Sequence, residues 1–378
     1  MKLLYIANLR LPTEKAYGIQ IAKTCEAIAS LGHDVLLVCP FRINKIKEDF
    51  FKYYSLERKF KLKRIWAPDF YLPGKLDKVA VNIKNFISAV LLCFYVLTHK
   101  ADIIYTRDEW PAYILSFFKM NIIFEAHKFY PGKRMFYKRF VRNNYKTITI
   151  SNGLKKDLLS FGFSDKNLLV APDGVDLKEF DLSMTKEEPR KKVGLPLDKK
   201  IVMYTGHLFE WKGANALLAA ARKSQTKIND ILFVFVGGTE NDVKEFKKKA
   251  EGLDDVLILG HRPHKDIPAY LKAADVLVLP NSAKEEISSK YTSPLKLFEY
   301  MASSRPIVAS DLPSLRDVLN ESNCFFAKPD DQNDLAKTIL KVLHREQSAK
   351  EISDKAHEDV KNYTWQKRAE KITKFVNV

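Results

Sequence analysis

Short apolar runs alternate with longer segments of helical periodicity along the whole chain. A first set of strand-like runs covers residues 2–7, 35–39, 103–105, 122–124, 147–150 and 168–170. A second set covers residues 201–204, 231–236, 256–259, 276–279, 306–309 and 324–326. Strands that are apolar on both faces and separated by helix-length segments are typical of parallel sheets with helices on each side. The pattern therefore predicts an α/β protein with two doubly wound, Rossmann-like domains.

A polar, proline-containing stretch separates the two sets of strands. It covers residues 181–200 (DLSMTKEEPRKKVGLPLDKK) and shows no apolar periodicity. The chain has 378 residues, which exceeds the length at which a single hydrophobic core stops growing. We therefore predict an N-terminal domain over residues 1–180, a linker over 181–200 and a C-terminal domain over 201–359, with a cleft between the domains.

Several glycines and a histidine lie in the segments that follow predicted strands. Ligands of open parallel sheets bind outside the carboxyl ends of the strands, because loops and helix N-termini converge there. The loop that reaches Gly18 follows the first strand, and His127 follows the strand near residue 124. Gly206 and Gly237 follow the first two strands of the second set. These positions are the candidates for a binding site.

Residues 204–213 (YTGHLFEWKG) have the composition of a diphosphate site. Gly206 allows the backbone to approach a ligand closely, and Lys212 supplies a full positive charge just before a predicted helix. The N-terminus of that helix adds a partial positive charge. A turn glycine followed by a solvated lysine would show the same spacing, so this stretch by itself leaves both interpretations open.

Residues 291–301 (YTSPLKLFEYM) supply a second candidate site. Pro294 can start a helix, Lys296 lies in its first turn, and Glu299 follows three residues later on a nearby face. Free amides at a helix start suit phosphate, and a carboxylate can accept both hydroxyl hydrogens of a ribose, as in dinucleotide-binding folds. The alternative for Glu299 is an exposed helical glutamate.

The second half of the chain resembles the retaining, family-4 type glycosyltransferases of the GT-B fold, the group 1 glycosyl transferases. The resemblance rests on residues 171–176 (APDGVD), 204–213 (YTGHLFEWKG), 235–238 (FVGG), 259–263 (LGHRP), 274–280 (ADVLVLP) and 293–311 (SPLKLFEYMASSRPIVASD). The first half matches less specifically, through its strands, the Gly18 loop and residues 125–127 (EAH). The resemblance implies two Rossmann-like domains facing a cleft, with a C-terminal helix over 360–378 that returns to the N-terminal domain.

The resemblance also implies roles for individual residues. Lys212 would bind phosphate, Glu299 would bind ribose and His127 would lie beside the transferred sugar, so these three are the candidate catalytic residues. The donor-binding set around them would be Gly18, Gly206, His207, Lys212, Gly237, Arg262, Tyr291, Ser293, Pro294, Leu295, Lys296 and Glu299.

Two positions depart from the family pattern. His207 stands where the family often has arginine, so the lysines must carry more of the charge, and donor affinity becomes pH-dependent. Tyr291 stands where the family often has the first of two glutamates. The sequence therefore leaves open which group contacts the donor sugar.

The implied reaction needs positive charge at the leaving group. A nucleoside diphosphate gains negative charge as the glycosidic bond breaks, and Lys212, Lys296, His207 and a helix N-terminus could stabilise that charge. The sequence has no DxD motif of the kind that holds a divalent ion through two carboxylates. We therefore expect no metal and no cofactor, with the nucleotide-sugar, such as a UDP-sugar, as substrate. The resemblance implies retention of anomeric configuration.

The net charge of +17 lies mostly in the first half, where residues 1–180 hold 30 Lys and Arg against 17 Asp and Glu. Aromatic and basic residues interleave over 41–66 and 128–146. Such a surface suits an anionic bilayer and a glycan or lipid-linked acceptor. The alternative is a solvated basic face whose aromatic side chains are buried.

Localisation is predicted to be cytoplasmic, peripheral at the inner face of the membrane. The start of the chain lacks the features of an export signal, and the four cysteines are scattered, which fits a reducing compartment. The longest apolar run, residues 86–97, has 12 residues, fewer than the roughly 20 that cross a bilayer. It is predicted to be a buried or interfacial helix, with partial membrane insertion as the alternative.

Three other functions are compatible with parts of the sequence. The same fold could serve a nucleotide-sugar epimerase or a nucleotide-sugar-binding protein that catalyses no transfer. A basic nucleic-acid-binding protein is the remote alternative, because no recognised DNA- or RNA-binding module is present. We therefore expect a nucleotide-sugar donor and a glycan or lipid-linked acceptor as partners, and no nucleic acid.

Overall fold

The computed structural model describes residues 1–180, 186–224 and 230–376. The chain forms two compact units. The first comprises Met1–Pro172 and the chain from Trp365 onward, and the second comprises Asp173–Thr364. Each unit contains one parallel sheet with helices packed against it, which confirms the predicted pair of Rossmann-like domains.

The sheet of the first unit has seven strands among the described residues, in the order β3-β2-β1-β4-β5-β6-β7. The strands are β1 (Lys2–Ile6), β2 (Asp34–Pro40), β3 (Lys61–Ile65), β4 (Ile103–Thr106), β5 (Ile122–Ala126), β6 (Lys146–Thr149) and β7 (Leu168–Val170). Every pair is parallel. The central strands β1, β4 and β5 are almost wholly buried, as expected for strands covered on both faces. Strand β3 was not predicted, because it is a charged edge strand (KLKRI) without an apolar run.

The helices of the first unit follow its strands in turn. They are α1 (Ala16–Ser30), α2 (Phe50–Tyr53), α3 (Leu76–Thr98), α4 (Glu109–Leu115), α5 (Arg134–Arg142) and α6 (Asn152–Phe161). Local sequence signals set the ends of α6. The Ser151 side chain accepts a hydrogen bond from the Leu154 amide at the start, and Gly162 ends the helix with a left-handed φ of +116°.

The sheet of the second unit has six strands among the described residues, in the order β10-β9-β8-β11-β12-β13. The strands are β8 (Lys200–Thr205), β9 (Ile231–Val236), β10 (Val256–Gly260), β11 (Val276–Leu279), β12 (Ile307–Ser310) and β13 (Phe325–Ala327). The strand order reverses between β8 and β11. Ligands of such sheets bind at the carboxyl ends of the strands beside this reversal.

The helices of the second unit are α7 (Glu187–Val193), α8 (Ala214–Ser224), α9 (Glu240–Lys249), α10 (Ile267–Ala273), α11 (Leu295–Ala302), α12 (Pro313–Arg316), α13 (Gln332–His344) and α14 (Glu346–Val360). A capping box between Thr239 and Asp242 starts α9. A short 3-10 turn (Glu210–Lys212) precedes α8, and a π-helical turn (Ile287–Tyr291) precedes α11. Both turns lie on the carboxyl side of the sheet and position residues of the predicted site.

The division between the units differs from the predicted linker. It lies after Pro172, eight residues before the predicted end at 180. Part of the stretch 181–200 forms α7, where the buried Arg190 pairs with Asp275 at 2.5 Å and donates to the Ala273 carbonyl at 3.0 Å. These contacts attach α7 to the second unit, which hydrophobic periodicity could not indicate. Residues 181–185 of the predicted linker lie outside the described residues.

The last helix, α15 (Trp365–Phe375), belongs to the first unit. The predicted returning segment, 360–378, begins five residues too early, because Val360 still ends α14 in the second unit. Residues 377–378 of that segment lie outside the described residues. Trp365, Ala369 and Ile372 are buried on one face of α15, and the helix packs on α1.

Gly213 joins the 3-10 turn to α8 at a point where two backbone segments touch. Its φ is +76°, and a Cβ atom at this position would lie 1.6 Å from the Pro280 carbonyl oxygen. Pro280 follows β11, the strand beside β8. The loops after these two strands can therefore come together only because Gly213 has no side chain.

Gly213→Ala should destabilise the protein far more than Gly252→Ala. Gly252 has the same φ of +76°, but nothing lies within 4 Å of its Cβ position. We expect Gly252→Ala to lower the free energy of unfolding by about 1 kcal/mol, because of backbone strain alone. Gly213→Ala should lower it by about 3 kcal/mol or more, because the backbone must also shift. Urea unfolding of both variants measures the difference, and equal losses would contradict the contact with Pro280.

Candidate functional site

His127 follows β5 and contacts a buried carboxylate of the same strand. Its Nε2 atom lies 2.6 Å from Oε1 of Glu125. Side chains two residues apart in extended chain point to the same side, which explains the pairing. Glu125 is completely buried, whereas the His127 side chain keeps about a fifth of its surface exposed. The imidazole is therefore the accessible part of this pair.

Besides His127, the Glu125 carboxylate is bound by side chains from three other elements. Gln20 Nε2 on α1 donates at 2.6 Å, the Tyr105 hydroxyl on β4 donates to the second oxygen, and the Arg368 guanidinium on α15 forms an ion pair at 2.9 Å. Arg107 in turn donates to Gln20 at 2.8 Å. Such a set of partners offsets the cost of burying a charge. Sequence reasoning did not include these partners in the site.

These contacts fix the protonation states of the pair. Burial alone would raise the pKa of Glu125, but the Arg368 charge and the His127 hydrogen bond hold that pKa well below its usual range. Burial, with the nearby Arg107 charge, lowers the pKa of His127 to about 4. His127 is therefore neutral near neutral pH. Its Nε2–H faces the ionised Glu125, which leaves the Nδ1 lone pair to accept a hydrogen bond.

Gly18 lies inside α1, where its lack of a side chain has a packing reason. A Cβ atom there would lie 2.1 Å from the Tyr54 hydroxyl. That hydroxyl accepts from the Thr13 amide at 2.7 Å and donates to the Thr13 carbonyl at 2.9 Å. Gly18 thus lets Tyr54 hold the loop that leads into α1. Its predicted role near the donor phosphates stays a prediction.

In the second unit, the glycines after β8 and β9 bring two loops together. Gly206 and Gly237 have φ values of +118° and +120°. A Cβ atom on Gly237 would lie 2.4 Å from the Gly206 carbonyl oxygen. Both positions need glycine, for backbone conformation and for this close approach. The loops after β8 and β9 therefore meet at one edge of the sheet, where the amides of Gly206 and Gly237 donate to the carbonyls of Val236 and Gly260.

Lys296, in the first turn of α11, reaches the loop after β8. Its Nζ atom donates to the Thr205 carbonyl at 2.7 Å and lies 3.7 Å from the centre of the Tyr204 ring. A Cβ atom on Gly206 would lie 3.4 Å from the same Nζ. The side chain is only 8% exposed, and its burial, reinforced by the charge of Lys212, lowers its pKa well below the usual value.

Lys212 is the second cation of this region. Burial lowers its pKa to about 8. Within the described part of the chain, neither Lys212 nor Lys296 forms an ion pair with a carboxylate. His207 lies in the same loop, with its ring stacked on Phe209 at 4.9 Å. Two cations beside glycine loops and the start of α11 have the charge and backbone surroundings that suit an anion.

Glu299 is held by a histidine that sequence reasoning missed. Nε2 of His264 lies 3.0 Å from Oε1 of Glu299, whose side chain is only 12% exposed. The other ring nitrogen of His264 lies 3.8 Å from Glu179. The alternative of an exposed helical glutamate is therefore wrong. The signal for His264 was its position three residues after His261 in a loop that follows a strand.

Several other residues of the predicted set have partners within the protein. The Ser293 hydroxyl accepts from the Asp173 amide at 3.0 Å, and Arg262 donates to the Tyr270 hydroxyl at 3.0 Å. Tyr291 is 3% exposed and ends the π-helical turn. These contacts give each residue a structural role and leave its contact with donor a prediction.

Pro294 and Leu295 define the start of α11. The helix begins at Leu295, one residue later than predicted, because Pro294 has an extended conformation and acts as the cap residue. Leu295 is buried. The nearby Glu286 pairs with Lys290 at 2.7 Å on the surface.

Two family models match the chain, one in each half. The model described as Glycosyltransferase Family 4 matches residues 18–179. The model described as Glycosyl transferases group 1 matches residues 185–359. The two matches together include the Glu125–His127 pair, the lysines and Glu299.

Two known proteins similar to this chain are named as enzymes that transfer sugars. TuaC of Bacillus subtilis, a glycosyltransferase assigned to teichuronic acid biosynthesis, is 23% identical over 95% of this chain and 94% of its own length. A phosphatidyl-myo-inositol mannosyltransferase of Mycolicibacterium smegmatis is 28% identical over 51% of this chain and 47% of its own length.

Solved structures show the same fold over the whole chain. Anabaena HepE in complex with UDP and glucose has a TM-score of 0.74 and 17% identity, covering 100% of this chain and 99% of that one. WaaG, a glycosyltransferase involved in lipopolysaccharide biosynthesis, has a TM-score of 0.73 and 14% identity, covering 99% of each chain. At these identities the likeness concerns the fold.

His127 should make the protein less stable in mild acid. Its folded pKa is about 4, whereas an unfolded histidine titrates near about 6.5. Between these values the unfolded chain binds a proton that the folded chain does not, so the free energy of unfolding falls as the pH falls. From about pH 7 to about pH 5, we expect His127→Gln to lose about 2 kcal/mol less than the wild type.

Urea unfolding at both pH values measures this difference. His344→Gln, which changes an exposed histidine at the end of α13, is the control and should follow the wild type. The same pH dependence in His127→Gln and wild type would show that His127 is not held neutral.

Proposed function

Because the chain belongs to the group 1 glycosyl transferases of the GT-B fold, we propose that it moves a sugar from a nucleotide-sugar to a glycan or lipid-linked acceptor. The product would belong to a cell-surface polysaccharide or glycolipid. The observation that carries the proposal is a pair of lysines, the buried Lys296 and the half-buried Lys212, beside two glycine loops and a mostly buried glutamate. The names of TuaC and the mannosyltransferase support the class of product.

The lysines would act on the leaving group. A diphosphate oxygen near Lys296 and Gly206 would receive hydrogen bonds and charge from Lys212, Lys296 and the amides at the start of α11. Since negative charge grows on this group as the sugar departs, these contacts strengthen in the transition state and accelerate the reaction. His207 would lie near the same phosphates.

Glu299 would bind the ribose. Both hydroxyl groups of a ribose can donate to one carboxylate, and His264 fixes the orientation of that carboxylate through its contact at 3.0 Å. The loops at Gly237 and Arg262 would lie beside the base. We infer a uracil base, which the complexes of HepE with UDP support.

His127 would position the transferred sugar. Its neutral ring can accept a hydrogen bond from a sugar hydroxyl through Nδ1, while Glu125 holds Nε2. We infer retention of configuration, with the acceptor attacking the face from which the diphosphate leaves and a leaving-group oxygen taking the acceptor proton. His127 then orients the sugar and need not act as the base.

UDP binding should be accompanied by proton uptake. A diphosphate favours the charged forms of Lys212 and Lys296, whose pKa values are lowered in its absence, so both rise on binding. Calorimetry at about pH 8 in two buffers of different ionisation enthalpy measures the uptake. Lys212→Met should reduce uptake and weaken UDP binding by about 10- to 100-fold.

Lys244→Met, on the exposed side of α9, is the matched control and should bind UDP as the wild type does. Incubation with labelled UDP-sugars, with and without acceptor, then separates transfer from epimerisation or simple binding. The assignment fails if the wild type takes up no UDP, or if Lys212→Met, Glu299→Ala and His127→Ala all keep normal turnover while folded.

Transfer should proceed without a divalent metal. Lys212 and Lys296 can supply the positive charge that a metal would otherwise provide. In residues 1–180, 186–224 and 230–376, no group of three or more His, Cys, Asp or Glu side chains is placed to hold a metal ion. We expect EDTA to change turnover by less than about twofold. A loss that Mg²⁺ or Mn²⁺ restores would overturn this prediction.

A further inference from the structure

Helix α3 exposes large apolar side chains along its whole length. It is 23 residues long, almost twice the 12-residue run that the sequence suggested. The exposed side chains recur every three or four residues and so form one stripe: Leu76, Val79, Ile83, Phe86, Ile87, Val90, Phe94 and Leu97. Phe94 is 66% exposed and Ile83 is 48% exposed. Eight such residues on one helix face exceed the scattered exposure usual for a protein surface.

The apolar surface continues onto neighbouring segments. Phe86 packs edge-on against Trp110 of α4, with ring centres 5.0 Å apart. The segment between β3 and α3 and the residues that follow α4 add further exposed side chains: Trp66, Tyr71, Leu72, Phe117 and Phe118. Tryptophan and tyrosine are the side chains that favour the boundary between lipid and water. We call α3 and these neighbours the stripe surface.

The opposite face of α3 is fixed to the protein by a buried ion pair. Lys84 Nζ lies 3.1 Å from Asp69, which also lies 3.6 Å from Arg42. The Lys84 ammonium also covers the Tyr71 ring at 3.4 Å. Within the described residues, α3 is long and apolar enough to cross a bilayer. Crossing would bring Lys84 into the lipid, whereas lying flat keeps it paired and still buries the stripe.

Exposed cations flank the segments of the stripe surface along the chain. Lys75 and Lys78 lie at the start of α3, Lys100 follows its end and Lys119 follows α4. On α5, the aromatic side chains Phe136, Tyr137 and Phe140 are buried, while the basic side chains Arg134, Lys138 and Arg142 are exposed. For α5, therefore, the alternative of a solvated basic face with buried aromatics is correct. The exposed apolar contribution comes from α3.

We propose that the stripe surface docks flat into the interface of an anionic lipid bilayer. An apolar stripe with a basic rim complements the acyl boundary and the anionic headgroups together. A second copy of the chain would bring two rims of the same charge into contact, and a nucleic acid would leave the stripe in water. Docking would give access to a lipid-linked acceptor, and only this purpose rests on the proposed function.

Flotation of the full chain with vesicles tests the proposal. The wild type should float with vesicles of phosphatidylcholine mixed with phosphatidylglycerol, and less with phosphatidylcholine alone or at high salt. Ile83→Glu with Phe94→Glu should weaken the partition by at least about tenfold. Leu159→Glu with Leu197→Glu makes the same change of charge at exposed leucines outside the stripe surface, and should keep strong binding.

A second measurement follows the fluorescence of the tryptophans in the stripe surface and uses substitutions that add no charge. Brominated lipids should quench the fluorescence of the wild type, and Trp66→Phe with Trp110→Phe should remove most of that quenching. The proposal is overturned if the wild type does not float with anionic vesicles, if both glutamate pairs bind equally well, or if light scattering shows a dimer that Phe94→Glu separates.

UDP calorimetry distinguishes the docking proposal from the proposed function. Flotation without UDP uptake refutes only the proposed function, and UDP uptake without flotation refutes only the docking surface.

Discussion

A charge removed from water must be compensated, and the two units of this chain meet that constraint in opposite ways. The first unit buries the Glu125 carboxylate and surrounds it with Arg368, Gln20, Tyr105 and His127. The second unit buries the Lys296 ammonium against a carbonyl and places Lys212 near enough to lower its pKa. The first arrangement is complete within the protein. In the second, Glu299 acts on Lys296 electrostatically, but among the described residues no carboxylate lies within ion-pair distance of the ammonium.

The last helix, α15, both packs on α1 and supplies the positive charge that compensates the buried Glu125 carboxylate. Arg368 donates to the Ala171 and Pro172 carbonyls and to Thr24, besides its ion pair with Glu125. One side chain of α15 therefore joins α1, β5 and the segment after β7. Because Glu125 in turn orients His127, the position of the imidazole depends on a residue more than 200 positions further along the chain.

Parallel strand topology explains why the cations and glycines meet. Strands β8, β9 and β11 are neighbours or next neighbours, so the segments that follow them share one edge of the sheet. Close approach there is possible only where a side chain is absent, as at Gly213 against Pro280 and at Gly237 against Gly206. The same loops that bring Lys212 and Lys296 together therefore depend on glycine for their geometry.

The amino-acid sequence was enough to predict the alternation of strands and helices, the two Rossmann-like domains, the strand ends where Gly206 and Gly237 lie and the helix that carries Lys296 and Glu299, because burial periodicity and turn residues are local signals. It did not indicate β3, the helix inside 181–200 or the full length of the stripe on α3, since an edge strand and a half-exposed helix lack a continuous apolar run. Tertiary structure alone decided that Arg368 holds Glu125, that His264 holds Glu299 and that Gly18 faces Tyr54. These partners lie 35 to 243 positions apart, and only the packing of distant segments brings them within contact distance.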